Sequence, residues 1–117
     1  MTLPLALEQR LQFLVRVVRK ERQHLALTDQ RLFLVPFTQA LVSDLENNPD
    51  MAERVEAFVG RFGRLQDTVG DKLLPALLIA MGERTSSVID NLDRAERLGL
   101  LQSADDWMTI TRWFTNT

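Results

Sequence analysis

The chain has 117 residues, enough for one domain (1–117) that buries a single core without staples. Hydrophobic residues make up 45% and charged residues 26%, ordinary for a globular protein, and a formal net charge of -2 argues against nucleic-acid binding by bulk electrostatics. Cysteine is absent and His24 is the only histidine, which excludes disulfides, thiol catalysis, cysteine metal sites and any multi-histidine centre or imidazole pair within one chain.

No apolar run reaches the ~18 residues of a membrane span, and Met1-Thr2-Leu3-Pro4 lacks the charged start of a secretory signal. A cytoplasmic protein with no membrane association is therefore expected.

Leu3 to Leu27 reads as a first helix. Leu7, Leu11, Leu14, Val18 and Leu25 recur at steps of four and three, with Glu21 in the one polar slot. Its far end carries Arg16, Arg19, Lys20, Arg22 and His24, which suits the negative end of the helix dipole. Arg19 and His24 also match a loose pattern in which an arginine holds phosphate and a histidine moves a proton. Two common residue types at one spacing carry little weight, and a solvated helix face accounts for them.

Thr28-Asp29 predicts a cap and a second helical segment from Gln30. Pro36 kinks that segment or splits it into a turn and a helix from Phe37 to Leu45. Phe33, Phe37, Leu41 and Leu45 share one face. Asn47-Asn48-Pro49-Asp50 is the clearest break, a turn ending in a fresh N-cap.

From Met51 the pattern stays helical to about Met81, with a kink or division near Asp71 to Leu74, because Pro75 cannot donate to the Asp71 carbonyl. A 100° step places Phe58, Phe62, Leu65, Val69, Leu73, Ala76 and Ala80 on one apolar stripe, expected to face the core. A second arc carries Arg61, Arg64, Asp67, Thr68, Asp71 and Lys72. Opposite the stripe lie Gly60, Gly63 and Gly70, each costing about 1 kcal/mol against alanine in a helix, so close approach of a neighbouring element is expected there.

Gly82 weakens or ends this helix. Ser87 with Asp90 forms a capping box for a helix from Val88 to Leu98, with Ile89, Leu92 and Ala95 inward and Gly99 as its left-handed C-cap. Ser103 with Asp106 opens a last helix at Ala104, on which Trp107, Ile110 and Phe114 share a face. Neither strand pairs nor glycine-rich phosphate loops are found. The fold class is all-α, an antiparallel up-and-down bundle of four to five helices kinked near Pro75.

The run from Ala57 to Pro75, AFVGRFGRLQDTVGDKLLP, resembles a segment of the HEPN superfamily, specifically the helical substrate-binding subunits that partner minimal nucleotidyltransferases. Val88 to Leu101 and Ser103 to Trp107 resemble the same branch, so the likeness spans about half the chain. It implies a dimeric bundle of four to five helices that binds a small nucleotidyltransferase, with a toxin–antitoxin module as context and an RNA or a nucleotide as ligand. Toxin members of the superfamily cleave RNA without metal, using an arginine and a histidine four to six residues apart at the start of the final long helix. Here Thr111-Arg112-Trp113-Phe114-Thr115-Asn116-Thr117 follows Ile110 with no histidine: either the motif is naturally absent or the last helix is shortened or altered, and no catalytic residue is carried over.

The resulting expectation is a noncatalytic binding subunit needing no metal and no cofactor. The alternative is a HEPN-type ribonuclease whose motif is lost or altered in this chain. The candidate partner surface is Arg61, Arg64, Asp67, Asp71 and Lys72: arginines at i, i+3 grip a phosphate or carboxylate, and the aspartates orient them. The plain alternative is a solvated helix face whose charges pair locally for ~0.2–0.5 kcal/mol each. Trp107 and Trp113 read as core or dimer anchors.

Overall fold

The computed structural model describes residues 3–115, with side chains to Arg112. Every regular element among them is helical: α1 (Leu5–Leu32), α2 (Gln39–Ser43), a 3₁₀ turn (Leu45–Asn47), α3 (Pro49–Asp67), a wide π-helical turn (Thr68–Leu73), α4 (Leu74–Ala80), α5 (Val88–Arg97) and α6 (Ala104–Thr115). The all-α expectation holds. The molecule is a rod, 56 × 26 × 20 Å.

Helix α1 does not break at Thr28-Asp29 as the sequence suggests; it runs unbroken for 28 residues. Thr28 is buried, and its hydroxyl donates to the His24 carbonyl one turn back while accepting from Arg61. The side chain that would have capped a new helix is thus used inside the old one. Pro36 follows the end of α1, and the chain resumes as the short α2, capped by Thr38.

The break before α3 is where the sequence places it, with a different cap. Asn48, not Asp50, accepts from the Met51 N–H at 3.2 Å, and Pro49 takes the first helical position, where no N–H is needed. Asp50 instead pairs with Arg54 at 3.0 Å.

The irregularity expected ahead of Pro75 is the wide turn. Leu74 N–H donates to Val69 O, five residues back, in the stretch where Pro75 supplies no donor. One extra residue in a turn rotates everything after it by about 100°. Leu74 and Leu78, which an unbroken period puts away from the stripe, therefore swing onto the face that meets α5 and α6. They form the core with Leu92, Ala95 and Ala104, backed by Leu101, Trp107 and Met108.

The predicted stripe is corrected accordingly. Of its members only Ala76 is buried; Phe58 is half-covered, and Phe62, Leu65 and Val69, also half-covered, floor an open cleft. Ile89 is likewise exposed (55%), whereas Leu92 and Ala95 are inward as expected. Phe114 falls outside the described side chains.

The caps after Pro75 match their residues. Gly82 and Gly99 have φ of +79° and +78°, and Glu83 N–H to Leu78 O and Leu100 N–H to Ala95 O (both 2.9 Å) close the helix ends. Ser87 and Ser103 accept from Asp90 N–H and Asp106 N–H at 3.2 and 3.1 Å. Close packing at the glycines is found only at Gly70, where a Cβ would stand 3.2 Å from the Trp107 ring. Around Gly60 and Gly63 there is open space, so their expected packing role is not met.

Candidate partner-binding site

The five predicted residues divide into one that is used inside the fold and four that are not. Arg61 is half-buried and turned toward α1, where Nη1 donates to His24 O at 2.9 Å and to the Thr28 hydroxyl. Seven residues earlier, on the same face of α3, Arg54 donates to Arg31 O at 3.2 Å. Arg31 sits in the last turn of α1, whose carbonyls have no partner further along the helix. The two guanidiniums thus bind α3 to carbonyls along the C-terminal half of α1, where the helix dipole favours positive charge.

Thr68, on the same arc as Arg61, is also inward. Its hydroxyl lies 2.7 Å from Glu21 Oε1 and 2.9 Å from Arg64 O. Glu21 is the polar slot in the apolar face of α1, and its second oxygen is buried without a hydrogen bond among the described residues. The polar arc read from the sequence therefore has an inner edge, Arg61 and Thr68, that holds α1 and α3 together.

Arg64, Asp67, Asp71 and Lys72 form the outer edge. All four are exposed, and none makes an ion pair or side-chain hydrogen bond among the described residues. They rise roughly 12 Å along the rod, a cation, two carboxylates and a cation. Local pairing, the plain account of such a face, is not what these side chains do. Asp67 and Asp71 lie at the end of α3 and within the wide turn, where irregular backbone gathers at functional sites.

Arg19 and His24, the loose nuclease-like pair, lie five residues apart on the unbroken α1, so they project about 140° apart. They do not converge on one substrate atom. Arg112 is exposed on α6; Trp113 to Thr117 lie outside the described side chains.

Sequence reasoning overlooked the cleft between α1, α3 and α6. Val18, Arg22, Phe62, Leu65, Val69, Trp107 and Ile110 line an apolar hollow of about 310 Å³. Phe62 also ends a ladder of rings: Phe37 to Phe33, Phe33 to Phe58 and Phe58 to Phe62, with centroids 5.7, 5.9 and 6.1 Å apart. The signal was present in the four-step spacing of Phe33 and Phe37 and of Phe58 and Phe62, but each pair reads as core when neighbouring elements are assumed to cover it.

Compared with protein-family models, curated proteins and solved structures, the chain matches none.

Proposed function

We propose that this chain is a noncatalytic binding subunit that partners a minimal nucleotidyltransferase within a toxin–antitoxin module. The observation that carries the reading is the outer row of Arg64, Asp67, Asp71 and Lys72, exposed and without an ion pair or side-chain hydrogen bond among the described residues. A surface of opposite pattern, carboxylate, two cations, carboxylate, would complete each charge in turn. The resemblance of residues 57–75 to nucleotidyltransferase-binding subunits supplies the class of partner. Arg61 belongs to this surface only indirectly, as the residue that fixes α3 against α1.

Rim charges set association rate and salt dependence more than packing energy. The test is co-expression with the product of the adjacent gene, which this reading requires to be a minimal nucleotidyltransferase, followed by co-purification at low and high salt. The expected result is a complex that weakens with salt and is lost in an Arg64→Glu, Asp71→Lys double variant of unchanged helicity. No complex at low salt overturns the reading, as does cleavage of RNA by the purified chain alone.

A further inference from the structure

The cleft between α1, α3 and α6 is held open by the fold. Gln66 Nε2 donates to Trp107 O at 3.3 Å and to Thr111 Oγ1 at 2.9 Å, which sets the spacing of α3 and α6. Gly70 is buried against the Trp107 ring, and a Cβ there would stand 3.2 Å from it. A side chain at position 70 would displace the indole. The helix propensity given up at Gly70 thus seats the ring that forms one wall of the cleft.

The walls are chemically one-sided. Val18, Phe62, Leu65, Val69, Trp107 and Ile110 supply apolar surface, and the Gln66 amide nitrogen is already bonded to α6. Arg22 is the one charged side chain in the lining, and no carboxylate stands there to neutralise it. It lends the wall its hydrocarbon stem, while its guanidinium stays in water at the mouth. There it has neither an ion pair nor a hydrogen bond among the described residues. A concave apolar hollow with one placed polar group has the general form of a small-molecule site, and its volume of about 310 Å³ is at the low end of their usual range, roughly 300–1,000 Å³. A partner helix, about 10–12 Å across with its side chains, does not enter a hollow this size.

We infer that this cleft binds an aliphatic carboxylate of medium chain length, its hydrocarbon on Phe62, Leu65 and Val69 and its carboxylate on Arg22. Apolar walls favour a body that needs no hydrogen bonds, since a polar one would lose its water without compensation. The guanidinium fork matches a carboxylate and repels a cation. From Phe62 to Val69 the floor rises roughly 10 Å, the reach of a chain of about ten carbons. Arg64 and Asp67 project about 130° and 170° round α3 from the line of Phe62, Leu65 and Val69. This site and the proposed partner surface therefore hold or fail separately.

Titration calorimetry of decanoate into the full chain is expected to show saturable binding at a single site with a Kd below about 100 µM. Octanoate, two methylenes shorter, should bind roughly 10-fold more weakly. Val18→Phe fills the hollow and should abolish binding, with far-UV circular dichroism unchanged. Arg22→Gln should weaken decanoate roughly three- to tenfold; it removes no bond among the described residues, so it decides the matter if Val18→Phe loses helicity. Phe37→Ser, on the ring ladder outside the cleft, should bind decanoate as the wild type does. The inference is overturned by no saturable binding at millimolar decanoate, by equal affinity for octanoate, by a folded Val18→Phe or an Arg22→Gln that binds like wild type, or by loss of binding in Phe37→Ser.

Discussion

Thr68 Oγ1 lies 2.7 Å from Glu21 Oε1, joining the middle of α1 to the first residue of the wide turn. The same hydroxyl lies 2.9 Å from Arg64 O, so one threonine serves both the turn and the helix pair. Glu21 Oε2 is buried and has no partner among the described residues. Thr68→Val then removes the carboxylate's one described hydrogen bond, and a buried polar group left unsatisfied costs about 1–3 kcal/mol. Urea unfolding should show that loss. Adding Glu21→Leu should recover most of it, because replacing both partners by apolar groups removes the penalty.

Arg61 and Arg64 are three residues apart and are expected to behave differently. Arg61→Met removes the bonds to His24 O and Thr28 Oγ1 and should cost about 1–2 kcal/mol, measured as a lower unfolding midpoint. Arg64→Ala removes no side-chain bond among the described residues and should stay within about 0.5 kcal/mol of wild type. Equal stability of the two variants would place Arg61 on the free surface with Arg64.

Much of the fold is legible where one residue decides a local geometry. Ser87, Ser103, Gly82 and Gly99 sit at the helix ends their chemistry favours, and Pro75 marks the irregular turn. The core was less legible, because a 3.6-residue period carried through residues 68–73 puts Leu74 and Leu78 on the wrong side. An inserted residue in one turn leaves no mark in hydrophobic spacing. Thr28 misled for a related reason: its hydroxyl caps a helix or bonds back to the preceding turn, and only Arg61, 33 residues away, determines which. Of the candidate site, the polar arc was legible, but its division into an inner and an outer edge needed the position of α1.

The glycines of α3 offer a separate test of how this helix is packed. A Cβ at Gly60 or Gly63 meets nothing within 4 Å, so Gly60→Ala and Gly63→Ala should each raise stability by about 0.5–1 kcal/mol through helix propensity. Gly70→Ala should lack that gain, because its Cβ meets Trp107 Cζ2 at 3.2 Å and Nε1 at 3.3 Å. Thermal melts of the three variants, read with the tryptophan signal, should separate Gly70 from the other two. If either of the first two variants weakened partner binding without losing stability, that flank of α3 would be in contact with the partner.

Leu78 tests whether the core lies where the wide turn puts it. It is 0% exposed and clusters with Leu74, Leu92, Ala95 and Ala104. Leu78→Ala should cost about 2.5–5 kcal/mol, the range for a buried leucine whose surroundings relax only partly, and Leu92→Ala, at 1% exposure, should match it. Leu65→Ala should cost less, because Leu65 is half-buried on the floor of the open cleft. Urea denaturation midpoints of the three variants check this order, and a Leu65→Ala loss as large as that of Leu78→Ala would place the core on the stripe read from the unbroken period.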